Sequence, residues 1–233
     1  MPTSAPDDSE RPIGPRSLKG TRTRVRLLEA AKEIFEENGF LEARISDIAE
    51  RAGLSHGSFY HYFDSKEEVF REVAASVEER LGEPLSGVIL DPESRATPQE
   101  RLREALRRHL ENYRREARII GVIEQMSRYD KHLSATLRGR TDRFSRQVAE
   151  SIRSLQEHGL ADPDLDPTIA AAALGAMTGR FPEMWLVQGS VDCSMDTAVD
   201  QLTRIFVNAL GLSRQHPARG REVTGPSPSL SAG

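Results

Sequence analysis

This sequence predicts an all-α protein of two domains, a small three-helix head followed by a larger helical bundle. Three observations predict it. Apolar residues recur at three- and four-residue intervals through most of the chain, alternating β-branched runs are absent, and cap and stop residues bracket the periodic segments. A length of 233 residues is enough for one or two domains and a sizeable core.

The first residues are Pro, Ser, Gly and charge with almost no apolar side chains, too little to offset the entropy of ordering them. A disordered basic arm is therefore expected over 1–20, and by the same reasoning a disordered tail over 213–233. A first helix follows at about 22–38, where Leu27, Leu28, Ala31, Ile34 and Phe35 share a face and Asn38-Gly39 supplies a stop. A short helix is expected over 45–52, with Ile45, Ile48, Ala49 and Ala52 on one side and Gly53 just past its end. Another short helix covers about 57–63. A fourth begins at Ser65, whose Ser-Lys-Glu-Glu reads as a capping box, and carries Val69, Phe70, Val73 and Val77. These elements define a head over 21–81, with its two short helices and their turn at about 45–64.

The second domain is expected over 82–212. After the loop SGVILDPESRA, Thr97-Pro98-Gln99-Glu100 combines a cap, a first-turn proline and a glutamate three residues on. The helix it starts is expected to reach about Arg118, with a break and a shorter helix at 119–128. Further helices are expected over 131–158, from Asp166-Pro167 to about Gln188 with an interruption at Pro182, and over 195–210. The last carries a wide apolar face of Ala198, Val199, Leu202, Ile205, Phe206, Ala209 and Leu210.

Composition excludes several classes. A net charge of -4 rules out a polycation, so any nucleic-acid binding must come from local charge. The single cysteine, Cys193, excludes an internal disulfide and argues against a cysteine-rich metal site. The N-terminal residues have no apolar run of the secretory kind, and the longest apolar stretch, at 169–177, is too short to span a bilayer, so a soluble cytoplasmic protein is expected. His109, His132 and His158 stand singly on different helices, and no nucleophile–base pair or glycine-rich phosphate loop is present. No catalytic residue, metal or cofactor is expected.

The informative segment is LSHGSFYHYFDSK at 54–66. The chain is only 6% aromatic, yet Phe59, Tyr60, Tyr62 and Phe63 fall together here. At 100° per residue Phe59 and Phe63 share one face, Tyr60 sits at its edge, and Gly57, Ser58 and His61 lie opposite, flanked by Tyr62. The phenylalanines can pack on the first two helices and leave a small, polar face outward. Two short helices joined by a turn with Gly53 and Ser55 make a helix-turn-helix whose second helix is sized for a DNA major groove. Gly57 allows close backbone approach, Ser55, Tyr60, Tyr62 and Lys66 can donate to phosphates, and Ser58 and His61 can reach base edges.

These residues resemble the TetR family of bacterial transcription regulators. The resemblance is carried by RLLEAAKEIFEENGF, ISDIAERAGLSHGSFYHYF and DSKEEVF and covers residues 21 to about 80, with the rest similar only in helix layout. It implies base contacts at Ser46, His56, Gly57, Ser58 and His61 and backbone contacts at Arg44, Ser55, Tyr60, Tyr62 and Lys66. The family often has Thr or Ser at the positions of Ala43 and Arg44; here the guanidinium replaces the cap, unless Ser46 starts the helix. The resemblance also implies a homodimer joined through the last two helices, and a repressor that binds a palindromic operator on double-stranded DNA and is released by a small molecule. Leu202 and Phe206, one turn apart, are expected between protomers.

For the effector, the family layout implies a cavity bounded by Tyr113, Ile119, Ile123, Met126, Phe144, Met177, Phe181 and Trp185. Arg180 lies in an otherwise apolar stretch beside Pro182. Either it pairs with Glu183, or it faces an anionic, amphiphilic ligand. The arginines at 101, 108 and 115 and at 107 and 114, with Arg118 one turn further on, read either as a solvated face balanced by Glu104, Glu111 and Glu116 or as a site for an anionic ligand. Arg16, Lys19, Arg22, Arg24 and Arg26 read either as a solvated tail or as an arm reaching phosphates and the minor groove. Two other classes stand beside the regulator: a sequence-tolerant architectural DNA-binding protein without a ligand, and a helical enzyme, for which no constellation is visible.

Overall fold

A computed structural model describes residues 18–85 and 96–212 of the chain; the expected arm up to residue 17, the expected tail and most of the loop before Thr97 lie outside the described residues. Among the described residues the regular structure is entirely helical: α1 (Leu18–Glu42), α2 (Ile45–Arg51), α3 (His56–Phe59), α4 (Lys66–Gly82), α5 (Pro98–Ser127), α6 (Lys131–Glu157), α7 (Pro167–Pro182) and α8 (Met195–Ala209). Short turns of tighter and wider helix follow α4 and α7, at Glu83–Leu85 and Glu183–Val187. None of these helices is long and apolar enough to cross a membrane.

Most helix starts use local side chains, as the sequence predicts. Ser65 accepts from the Glu68 amide of α4 at 3.1 Å. The Thr97 hydroxyl accepts from the Glu100 amide at 3.2 Å while the Glu100 carboxylate takes the Thr97 amide at 2.8 Å, a reciprocal capping box on α5. Asp166 caps α7 through the amides of Thr168 and Ile169, and Ser194 caps α8 through Thr197. The expected break near Arg118 does not occur. Residues 98–127 form one unbroken helix, because Ile119, Ile120 and Ile123 are all buried by one apolar core and hold the segment in register. At Gly39 the backbone turns to φ 71 and ψ 176, a conformation open essentially to glycine, so the regular part of α1 ends at the Asn-Gly stop.

The chain divides into two compact units. The first takes residues up to Glu83, then Asn112–Asp142 and Pro182–Val191, and contains the whole expected head; the second takes Pro84–Glu111, Arg143–Phe181 and the residues from Asp192 onward. In the first, Leu27, Ile34 and Phe35 of α1, Ile48 of α2, Phe59 and Phe63, and Val69, Phe70, Val73 and Val77 of α4 form one core with Tyr113, Ile119 and Ile123 of α5 and Leu133 of α6. Past the Gly39 turn, Phe40 packs on Phe70 with ring centroids 4.9 Å apart, and Phe70 meets Phe35 edge-on at 5.0 Å. Truncating one of these rings to alanine would cost about 3–5 kcal/mol.

In the second unit, Leu102, Leu106 and Leu110 of α5, Ile152 and Leu155 of α6, Ala171 and Leu174 of α7, and Val199, Leu202, Phe206 and Leu210 of α8 are buried. Leu202 and Phe206 are only 4% and 6% exposed within a single chain, which corrects their expected place between protomers: their own chain already covers them. The outward faces are different residues. On α8 these are Gln201, Arg204, Ile205, Asn208 and Ala209; on α7 they are Ile169, Ala172, Ala173, Ala176, Gly179 and Arg180. Ile169 and Ile205 are 70% and 45% exposed.

Candidate nucleic-acid interface

The reading head is assembled by contacts that are mostly local. At the end of α2 the Leu54 amide bonds back to the Ala49 carbonyl at 2.8 Å and the Gly53 amide to Glu50 at 2.9 Å, with Gly53 at φ 65. This is a Schellman closure, and the left-handed residue is a glycine because a side chain there would be strained. Two residues on, Ser55 caps α3 by accepting from the Ser58 amide at 3.2 Å, and its hydroxyl lies 2.7 Å from that of Ser58. The turn is thus closed at both ends by main-chain and serine bonds.

The expected helix over 57–63 is α-helical only for His56–Phe59. Beyond it the His61 and Tyr62 amides bond to Ser58 and Phe59, three residues back, at 3.3 and 2.9 Å. The tightening lets Phe59 and Phe63 point into the core together, 0% and 1% exposed, with ring centroids 5.7 Å apart. Arg24 of α1 lies over the Phe63 ring at 4.8 Å and pairs with Glu72 of α4, while Arg26 donates to the Ala52 carbonyl at 2.7 Å. Both arginines therefore hold the head together rather than extend a basic arm.

Outward, Ser55, His56, Gly57, Tyr60 and His61 are exposed and form a contiguous strip, with Ser58 and Tyr62 half-buried at its edges. The His56 and Tyr60 rings meet edge-to-face at 5.4 Å. A Cβ added at Gly57 would have no heavy atom of the described residues within 4 Å, so nothing among them asks for glycine there. Arg44 stands as the N-cap residue of α2 without a side-chain cap bond, exposed, and Ser46 donates to Asp47 rather than starting the helix. The acidic run on α1 is neutralised locally: Arg51 binds Glu33 at 2.9 Å and Glu37 at 2.8 Å, and its hydrogen bonds hold the Glu37 carboxyl below the usual range.

Lys66 corrects an expectation. Its ammonium donates to the carbonyls of Phe40, Leu41 and Ala43 at 2.8, 3.2 and 2.8 Å and lies 4.6 Å from the centre of the Phe40 ring. An ammonium has three donors, and all three are used at the C-terminal end of α1, where the carbonyl dipoles favour a cation. None is left for a phosphate.

The residues expected around an effector cavity are distributed otherwise. In the first unit Tyr113 and Ile123 are buried core, Met126 packs against that core, and Trp185 is half-buried. In the second unit Phe144, Met177 and Phe181 are half-buried and Arg180 is exposed. An exposed Arg180 carries no large desolvation cost, so the desolvation argument for an anionic ligand falls. Of these residues Phe144 alone lines a small apolar cavity in the second unit, together with Leu85, Leu102, Val148, Leu174 and Phe206 among others. Its volume is about 30 Å³, the room of one or two waters. Beside it the buried His109 ring holds the Thr178 carbonyl at 3.0 Å. The four-residue spacing of Phe144, Val148 and Ile152 was the signal in the sequence for this lining.

A buried aromatic wedge behind an exposed polar strip, on two short helices closed by a glycine turn, defines a helix-turn-helix DNA-binding protein. Comparison with known proteins agrees. Residues 27–73 match the bacterial regulatory proteins of the tetR family, and residues 95–210 match the tetracyclin repressor-like C-terminal domain, together well over half the chain. The transcriptional repressor AcnR of Corynebacterium glutamicum is 29% identical over 183 residues, covering 74% of this chain and 94% of its own. The transcriptional regulator UidR of Escherichia coli K12 is 27% identical over 160 residues, 67% of this chain and 78% of its own. Among solved structures, SmeT, the repressor of the Stenotrophomonas maltophilia multidrug efflux pump SmeDEF, superposes with a TM-score of 0.63 at 22% identity, covering 88% of this chain and 97% of that one. The chain belongs to the TetR family and is a transcription regulator, a family of regulators and not of enzymes. Among the described residues no group of three or more His, Cys, Asp or Glu side chains could hold a metal ion.

Proposed function

We propose that this protein is a cytoplasmic repressor that binds a two-fold symmetric operator as a homodimer and is released by a small, largely apolar molecule. The observation that carries the reading is the exposed strip of His56, Gly57, Tyr60 and His61 over a fully buried Phe59–Phe63 wedge. His56, Gly57, Ser58 and His61, with Ser46 beside them, face base edges; Arg44, Ser55, Tyr60 and Tyr62 face the sugar–phosphate backbone. The protomers meet through the outward faces of α7 and α8, around Ile169, Ala172, Ala176 and Ile205, whose exposure on a monomer would be unfavourable.

The effector enters the second unit at the small cavity and widens it. With Gly175 and Thr178 as its exceptions, that lining is hydrocarbon, and the Thr178 hydroxyl is already bonded to the Gly175 carbonyl at 3.0 Å. This favours an uncharged or long-chain apolar molecule over an anionic head group held by Arg180. Moving the operator-binding state from 99% to 1% needs about 5.5 kcal/mol of differential affinity, within reach of one well-buried apolar ligand.

Selection of bound fragments from the source genome, followed by footprinting, is the test. One two-fold motif with half-sites about 34–36 Å apart or somewhat more is expected. Binding without sequence preference would instead make this an architectural protein.

A further inference from the structure

Glu116 is a buried carboxylate that the DNA-reading surface does not use. It sits on α5, 4% exposed, between cations from two other helices. One oxygen accepts from Arg80 Nε of α4 at 3.0 Å; the other lies 3.3 Å from Lys32 Nζ of α1 without an aligned hydrogen bond. Lys32 also holds Glu36 one turn along α1 at 2.9 Å. Burial opposes the charge on Lys32, but its hydrogen bond to Glu36 and the fields of Glu116 and Glu36 outweigh that and raise its pKa, so the cation persists. Neighbouring residues of α5 reinforce the same two attachments: Asn112 donates to the Arg80 carbonyl at 3.0 Å and Arg118 to the Glu36 carbonyl at 3.1 Å.

Stability alone does not account for this acid. A buried ion pair is costly to desolvate, and an apolar side chain of similar volume commonly serves as well or better. What a fixed charge adds is geometry, since few arrangements of α1, α4 and α5 bring both cations to one carboxylate. The α1 side of this hub is a 3.3 Å ion pair and the α4 side a 3.0 Å hydrogen bond.

We propose that Glu116 is a positioning residue that fixes the reading head onto α5 and thereby sets the distance between the two heads of a dimer, and so the half-site spacing the protein accepts. The proposal rests on the dimeric reading above.

Spin labels test it in the whole protein. A single label at exposed Glu29→Cys in a Cys193→Ser background gives the head-to-head distance in the free dimer. The unsubstituted hub should give a narrow distribution. Glu116→Gln should broaden it about twofold, and so should Arg80→Gln, which breaks the hub from its half-exposed side and keeps the fold. On operators lengthened or shortened by one base pair, both variants should lose most of the wild-type discrimination while binding an isolated half-site within about twofold of wild type. Unchanged distance widths and unchanged spacing discrimination would overturn the proposal. Parallel loss on half-site and full operator would overturn it too, leaving Glu116 a general structural support. A label with no dipolar partner would remove the dimer and the spacing role with it.

Discussion

Gly57→Ala separates what the fold needs from what the DNA needs. Gly57 is the second residue of the four-residue α3, exposed, with no heavy atom within 4 Å of where an alanine methyl would sit and no left-handed backbone angle. Inside the protein the methyl is free of cost, and alanine loses less backbone entropy on folding. The gain is about 0.5 kcal/mol, the low end of the glycine-to-alanine range because the helix is one turn long. For a chain of this size that raises Tm by about 1–2 °C. On the DNA the sign reverses. If the backbone at 57 lies against a base edge, the methyl must push the helix outward and stretch the contacts of His56 and His61. Loss of one good base contact is worth about 1–3 kcal/mol, or about 5- to 150-fold in affinity per half-site. Thermal melts and fluorescence-anisotropy titrations on the selected operator, at one salt concentration, measure both. Affinity within twofold of wild type would refute close backbone approach, and a fall of several degrees in Tm would refute the claim that nothing inside the chain needs this glycine.

Three further outcomes follow from the placements above. Lys66→Met should destabilise the fold by about 2 kcal/mol in denaturant, from lost charge-assisted bonds to the end of α1, while the slope of log K against log salt stays unchanged; a phosphate contact would instead flatten that slope by about one unit. Tyr60→Phe should weaken binding on all sequences alike, whereas His61→Ala should relax preference at particular base pairs by about 1–3 kcal/mol, and competition with point-mutated operators distinguishes the two. In sedimentation, Ile205→Glu should yield monomers, whereas Leu202→Ala should stay dimeric and lose about 2–5 kcal/mol of stability, because Leu202 is buried by its own chain. Dissociation by Leu202→Ala alone would return the seam to the inner face of α8.

What could be read from the sequence was whatever its near neighbours decide. The caps at Ser65, Thr97 and Asp166 each act on amides two or three residues away, and the Gly39 and Gly53 stops are backbone conformations of single residues. The wedge of Phe59 and Phe63 needs only helical periodicity. That is why the helix-turn-helix and its exposed strip were legible, and with them the family. Tertiary structure alone decided where the long side chains ended. Lys66 lies 26 residues from the Phe40 carbonyl it binds, and Arg24 lies 48 from Glu72, so no local pattern distinguishes a carbonyl from a phosphate as the partner. Periodicity marked the inner face of α8 as apolar but could not say whether the same chain or a second one covers it; Leu202 and Phe206 were taken up by the chain itself, and Ile205 was left outside. Arg180 came to the exposed side of α7 for a similar reason: the orientation of the helix follows from which of its faces packs best, and Ala171, Leu174 and Thr178 were taken into the core while Ala172, Ala173 and Ala176 stayed outside. A one-dimensional pattern fixes which groups avoid water, whereas the choice among partners depends on which of them the folded chain brings within contact distance.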